Sequence, residues 1–309
     1  MDVVARVRET GLVVDGEPLV VMLSGGRDSV CLLHVAVTLG ARVTALHVDY
    51  GLRGAASDAD RELCVALCRS LGVPLEVRRA ARAPDAVGNF HAWAREVRYA
   101  AAASLGARVA AAHTLSDQVE TILYRLASSP GRRALAGMDP VRGGLVRPLL
   151  AAGIRREETA SYCMARELAW REDASNTDRA YARARVREDL LPALRAVDPR
   201  AEANVLRTAE ILRAEAAVLD EVVAGVLDGR GGALPRAELA ALPAALGRLV
   251  LRRLAEDAIA GPCARAAGRL GEVLALGDDG ALDLGDGARA IVRDGVVSVG
   301  RTPARPATR

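Results

Sequence analysis

The stretch Ser24-Gly25-Gly26-Arg27-Asp28-Ser29 constrains this chain more than any other. It follows the apolar run Leu19-Val20-Val21-Met22-Leu23 and precedes Val30-Cys31-Leu32-Leu33-His34-Val35, an order that reads as buried strand, tight turn and helix. A strand that feeds a Gly-Gly turn into a helix N-terminus gathers unpaired backbone N–H groups at one point, and such a point binds phosphate or another anion. Ser24, Ser29 and the cationic Arg27 can add donors around it. Asp28 is the unusual member: a carboxylate beside phosphates makes sense if it holds Mg²⁺ or caps the helix. A capped surface turn would also account for the six residues taken alone. The Gly-x-x-x-x-Gly-Lys-Ser/Thr and Gly-x-Gly-x-x-Gly spacings are both absent, so neither a Walker A loop nor a dinucleotide fingerprint is implied.

The rest of the first half repeats the strand-then-helix order. Strands are expected at 18–23, 43–48, 74–77 and 108–112, with helices between them that start near residues 27, 58 and 89. Crossovers of this length imply an α/β fold with a Rossmann-like parallel sheet covered by helices on both faces. Ligands of such sheets lie beyond the C-terminal strand ends. The loops starting at Ser24, His47 and His113 all leave from those ends, so the three are expected to converge.

A chain of 309 residues can bury a sizeable core and is expected to hold two units, a larger first and a smaller second. From Asp198 the composition turns to Ala, Leu, Arg and Glu with helical periodicity, and the stretch 273–299 has short apolar groups separated by Gly and Asp, as in small strands. The expected domains are therefore 1–197, 198–300 (mainly helical with a small β element) and a disordered tail at 301–309. The apolar stretches are short and interrupted by Arg, and the first twenty residues lack a secretory core, so no membrane contact and a cytoplasmic location are expected. Five Cys without Cys-x-x-Cys fit reduced, buried thiols. All 42 basic residues are Arg, and the net charge of +3 is too mild to announce nucleic-acid binding by itself.

His113-Thr114-Leu115-Ser116-Asp117-Gln118-Val119-Glu120 places two carboxylates one helical turn apart. They can cap the helix, hold Mg²⁺ or orient a cationic substrate. Together with the Ser24 loop, the segments His47-Val48-Asp49-Tyr50-Gly51-Leu52-Arg53, Ala94-Arg95-Glu96-Val97-Arg98-Tyr99, Arg147-Pro148-Leu149-Leu150, Asp173-Ala174-Ser175-Asn176 and Tyr181 to Arg187 resemble, in order and spacing, the tRNA(Ile)-lysidine synthases of the N-type ATP pyrophosphatase (PP-loop) superfamily. The resemblance is specific over about residues 18–195 and loose afterwards.

It implies an adenine nucleotide alpha hydrolase-like fold and an ATP-dependent carbon–nitrogen ligase. The enzyme would adenylate O2 of the wobble cytidine of tRNA(Ile) with a CAU anticodon, then let free L-lysine displace AMP. ATP and Mg²⁺ are the implied cofactors. Ser24, Gly25, Gly26, Arg27, Asp28, Ser29 and His47 would bind the nucleotide, with Asp28 holding the metal. Asp28, Arg27, Asp49, His113, Asp117 and Glu120 are the implied catalytic set, without a division of labour among the carboxylates. Arg95, Arg98, Arg132, Arg133, Arg183, Arg185 and Arg187 would contact tRNA phosphates. A homodimer is possible within this reading. Arg27 stands where the family usually has Lys, Tyr50 and Thr114 where it usually has His, and residues 126–131 lack its Arg-Gly. Competing readings are tRNA cytidine 2-thiolation by a related enzyme and a tRNA- and nucleotide-binding protein with little turnover.

Overall fold

The computed structural model describes residues 2–51, 54–80, 90–129, 132–172, 179 and 181–303, with backbone only at 55, 56, 90–92 and 133. The chain divides into two compact units, Met1–Leu212 and Arg213–Arg309, and the division falls inside the helix Ala201–Leu227.

The first unit is built on six strands, β1 (Pro18–Met22), β2 (Arg42–Asp49), β3 (Leu75–Arg79), β4 (Arg108–Ala110), β5 (Val141–Arg142) and β6 (Leu145–Val146). Their order in the sheet is β3-β2-β1-β4-β6-β5. All neighbours run parallel except β5 and β6, a short antiparallel hairpin at one edge that adds a mixed element to the parallel sheet expected from the sequence. Strand β1 is central, and its side chains feed two cores in alternation. Leu19, Val21 and Leu23 pack into one, and Val20 and Met22 into the other. A strand buried on both faces has no polar side to display, which is why it reads as an unbroken apolar run.

Helices α1 (Val3–Glu9), α2 (Arg27–Thr38), α3 (Ala55–Leu71), α4 (Phe90–Ala103), α5 (Leu115–Ser128), α6 (Arg132–Leu135), α7 (Pro148–Ala151) and α8 (Arg156–Ala165) follow in chain order. Helix α2 sits deepest: Val30, Cys31, Leu32, Leu33, Val35 and Ala36 are all completely buried. Cys64 and Cys68 of α3 belong to the same core, as the sequence suggests for small apolar side chains. Beyond α8, Ala182–Arg185 is α-helical, Val186–Leu190 winds wider as a π-helix and Leu191–Val197 resumes the α-helix.

The second unit pairs helices with a four-stranded antiparallel sheet of β7 (Ala233–Pro235), β8 (Ala281–Gly285), β9 (Ala288–Arg293) and β10 (Val296–Arg301), in the order β7-β10-β9-β8. The helical stretch read over 236–259 is two helices, Arg236–Ala241 and Ala244–Ile259, because Pro243 has no N–H to carry the helix through. Arg301, assigned to the tail from sequence, pairs with Ala288 at the end of β10, and residues 304–309 lie outside the described residues. Among the described residues no helix is long and apolar enough to cross a membrane.

Leu32→Ala should lower the unfolding free energy of the chain by about 2–5 kcal/mol, since the side chain is completely buried and its removal leaves a cavity that its neighbours fill only in part. Chemical denaturation checks this, and a loss below about 0.5 kcal/mol would contradict the central placement of α2.

Candidate functional site

The topology puts the site at the point where the chain leaves β1 in one direction and β4 in the other. Connections from β1 lead to β2 and β3 on one side, and β4 lies on the opposite side, so the C-terminal ends of β1 and β4 border an open crevice. A cavity of about 290 Å³ occupies it.

Its floor is the glycine turn. Gly25 adopts φ +86°, a conformation that side chains with a Cβ rarely take, and the extended Gly26 caps α2. The Ser24 hydroxyl accepts from Gly26 N at 3.3 Å and lies 3.1 Å from the Ser29 hydroxyl, which donates to Gly26 O at 2.8 Å. The turn is therefore tied internally, and Arg171 N donates to Gly25 O at 3.0 Å from outside it. Arg27 pairs with Glu172 at 3.2 Å across the cavity mouth.

Asp28 lies in the first turn of α2 and accepts a short hydrogen bond from the Thr159 hydroxyl of α8. Burial pushes its carboxyl up to about 6, against the opposing pull of Thr159, while the neighbouring charge of Asp117 adds to the rise.

On the β4 side, Thr114 caps α5 and forms a reciprocal box with Asp117. Asp117 Oδ2 accepts from Thr114 N and from its hydroxyl, both at 2.8 Å. The capping reading of this motif thus holds for Asp117 and not for Glu120, and the Asp117 carboxylate also faces the cavity. Burial works to raise the Asp117 pKa, but Arg156 and the Thr114 donors outweigh it and hold the carboxyl below its usual value. His113 also lines the cavity, and its Nδ1 is shut off from solvent with no hydrogen-bond partner among the described residues. Burial drives the imidazole down to about 4, partly resisted by Asp117.

Arg156, the first residue of α8, joins these parts. Its guanidinium donates to Asp117 Oδ1 at 2.7 Å and to Glu120 Oε1 at 2.8 Å, and its Nε stands 3.9 Å from Asp28 Oδ2. Burial opposes its charge, but Asp117 and Glu120 raise its pKa above the ordinary value. Glu120 receives a second guanidinium in bidentate fashion: Arg187 Nε at 2.7 Å on Oε1 and Nη2 at 2.9 Å on Oε2. Neither Arg156 nor Thr159 stands out in the sequence reading. The available signal is a cation at a helix N-terminus, where the helix dipole disfavours it unless carboxylates are near.

The sequence-named residues divide as follows. Ser24, Gly26, Arg27, Asp28, Ser29, His113 and Asp117 line the cavity, and Glu120 joins through Arg156. Leu46, Val48 and Tyr50 line it from β2 and its exit, whereas His47 and Asp49 do not. Neighbouring strand residues face opposite ways. His47 Nδ1 instead meets Leu23 O at 2.9 Å, and Asp49 Oδ1 accepts from Gly51 N at 2.9 Å.

The seven arginines named for phosphate contact are spread out. Arg98 and Arg187 line the cavity, Arg95 lies over the Tyr99 ring at 4.8 Å, Arg183 and Arg185 are exposed, and Arg132 is half-buried in α6. The side chain of Arg133 and the segments 52–53, 130–131 and 173–178 lie outside the described residues.

A family model for the PP-loop domain matches residues 4–194. Among curated proteins, the chain is 41% identical over 252 residues to the tRNA(Ile)-lysidine synthase of Solibacter usitatus, covering 77% of this chain and 56% of that protein. It is 38% identical to the enzyme of that name from Gloeobacter violaceus (79% of this chain, 78% of that protein) and 39% identical to the one from Salinispora tropica (91% and 90%). The chain thus spans little more than half the length of some relatives and nearly all of others. Among solved structures, the U34-tRNA thiolase NcsA of Methanococcus maripaludis superposes with a TM-score of 0.57 at 16% identity, covering 68% of this chain and 78% of that one, which is a likeness of fold.

His113 should stay neutral throughout neutral pH. With a folded pKa depressed to about 4 against an ordinary 6.5, the unfolded chain binds the proton more readily. The corresponding stability is therefore present above about pH 6.5 and is lost as pH falls towards 4. NMR titration of the ring should give a midpoint near 4, and a midpoint near 6.5 would contradict the buried placement.

Proposed function

The chain belongs to the tRNA(Ile)-lysidine synthase family of PP-loop proteins, and from that membership we propose that it ligates L-lysine to C2 of the wobble cytidine of tRNA(Ile) with a CAU anticodon. ATP is consumed to AMP and pyrophosphate. The observation that carries the reading is that the glycine turn after β1 and the His113–Asp117 end of β4 open into one cavity, with Glu120 tied to it through Arg156. A reaction with a polyanionic first substrate and a cationic second one needs those two kinds of site side by side.

In the first step the cytosine O2 attacks the α-phosphorus and pyrophosphate leaves. The backbone N–H groups at the start of α2, the Ser24 and Ser29 hydroxyls and Arg27 take up the charge of the triphosphate. Asp28 is the carboxylate that would hold a Mg²⁺. Asp117 has both oxygens engaged by Thr114 and Arg156, and among the described residues no group of three or more His, Cys, Asp or Glu is placed to hold a metal. When bound, the ion would neutralise charge on the departing pyrophosphate.

In the second step the ε-amine of lysine attacks C2 and AMP leaves. Asp117, held anionic by Arg156 and the Thr114 donors, and Glu120, which pairs with Arg156 and Arg187, suit the ammonium before it gives up its proton. Val48, Tyr50 and Tyr99 offer apolar and aromatic surface for a base. Extrusion of the target is inexpensive because it lies in a single-stranded loop. Exposed Arg95, Arg183 and Arg185 suit the tRNA backbone.

Purified protein incubated with this tRNA, Mg-ATP and labelled lysine should yield a lysine-modified cytidine and lysine-dependent AMP release. Their joint absence would overturn the reading. Asp28→Ala should reduce pyrophosphate release at least about 100-fold, the scale of a lost transition-state contact, while tRNA affinity measured by filter binding stays within about twofold. A tenfold loss of tRNA binding with pyrophosphate release intact would contradict the role of Asp28.

A further inference from the structure

Arg156 stands where a cationic substrate is wanted. Asp117 and Glu120 are the acidic groups suited to an ammonium, yet a guanidinium of the protein already bridges them at 2.7 and 2.8 Å. The same side chain, only 14% exposed, borders two cavities. One is the cavity over the glycine turn. The other, about 340 Å³, is lined by four glutamates and four arginines, Glu120 and Arg156 among them.

We propose that Arg156 is a positioning residue that makes the two substrates bind in order: its guanidinium closes the ammonium site until ATP draws it onto the phosphates, and only then does the amine of lysine take its place between Asp117 and Glu120. This rests on lysine being the second substrate, as argued above.

The bonding around Arg156 suits such an exchange. Its Nε is already 3.9 Å from Asp28 in the first turn of α2, next to the phosphate-binding turn, and a guanidinium pairs with phosphate oxygens as well as with carboxylates. When it leaves, neither carboxylate loses its mooring. Asp117 keeps both Thr114 donors on Oδ2, and Glu120 keeps the two bonds from Arg187. What becomes free is Asp117 Oδ1 and a share of Glu120 Oε1, two acceptors for an ammonium that carries three donors. A polyanion that recruits the arginine and a cation that replaces it each favour the other's binding, and this coupling is reciprocal. While ATP is absent, the guanidinium keeps Asp117 neutralised.

Calorimetric titration of lysine into the full chain, with and without Mg²⁺ and a non-hydrolysable ATP analogue, tests the interlock. In the wild type the analogue should tighten lysine binding by about tenfold or more, within the usual range of coupling between sites. Arg156→Gln should bind lysine without nucleotide about as tightly as the wild type does with it. Arg156→Lys, which keeps the charge, should retain the nucleotide dependence, whereas a purely structural role would make both variants fail alike. Equal lysine affinity with and without nucleotide in the wild type overturns the interlock alone. Absence of lysine binding to wild type and variants under every condition overturns it together with the assignment of lysine as substrate.

Discussion

Everything in the first unit follows from the confinement of β1 between two cores. Its residues alternate into the layers on either side of the sheet, so the strand cannot shift by one position without moving Val20 and Met22 into the space of Leu19 and Val21. Fixed in this way, it leads into Gly25 at φ +86° and starts α2 at the cavity, which Gly26, Arg27, Asp28 and Ser29 line. Helix α2 is anchored by six completely buried residues, which leave it little room to tilt. The position of the glycine turn is therefore a consequence of core packing.

The second constraint is electrostatic. Asp28, Asp117 and Glu120 are drawn from α2 and α5 towards one small region, and Arg156 of α8, with Arg187 from the π-helical turn, answers them. Breaking such a partly buried network by removing one member leaves a charge without compensation, at a cost of about 3–5 kcal/mol. The network ties α8 to α2 and α5. It also means that any ligand entering here must exchange charge for charge, which favours a polyanion paired with a cation over a neutral pair.

The sheet was legible in the sequence because its interior strands are mostly apolar runs, Leu19 to Leu23 above all, that end in polar residues and turns. The hairpin of β5 and β6 was not, since two-residue strands such as Val141–Arg142 carry no periodic signal. The turn at Ser24 and the His113–Glu120 segment were legible as local motifs, and they do meet. His47 and Asp49 show the limit of reading strand exits: residues 46, 48 and 50 face the cavity, and the conspicuous polar neighbours between them face away. Arg156 was hidden for a different reason. Its partners lie 36, 39 and 128 positions distant in the chain, so only the tertiary fold reveals that one of forty-two arginines is central.

The central claim is that one cavity carries two half-reactions, with the nucleotide activating the RNA before the amine arrives. The most direct measurement follows the α-phosphate of labelled ATP in the presence of the CAU-anticodon tRNA and the absence of lysine. The account predicts that label becomes attached to the tRNA and is released as AMP when lysine is added. Label that stays in ATP, or that passes to lysine instead of tRNA, would contradict it.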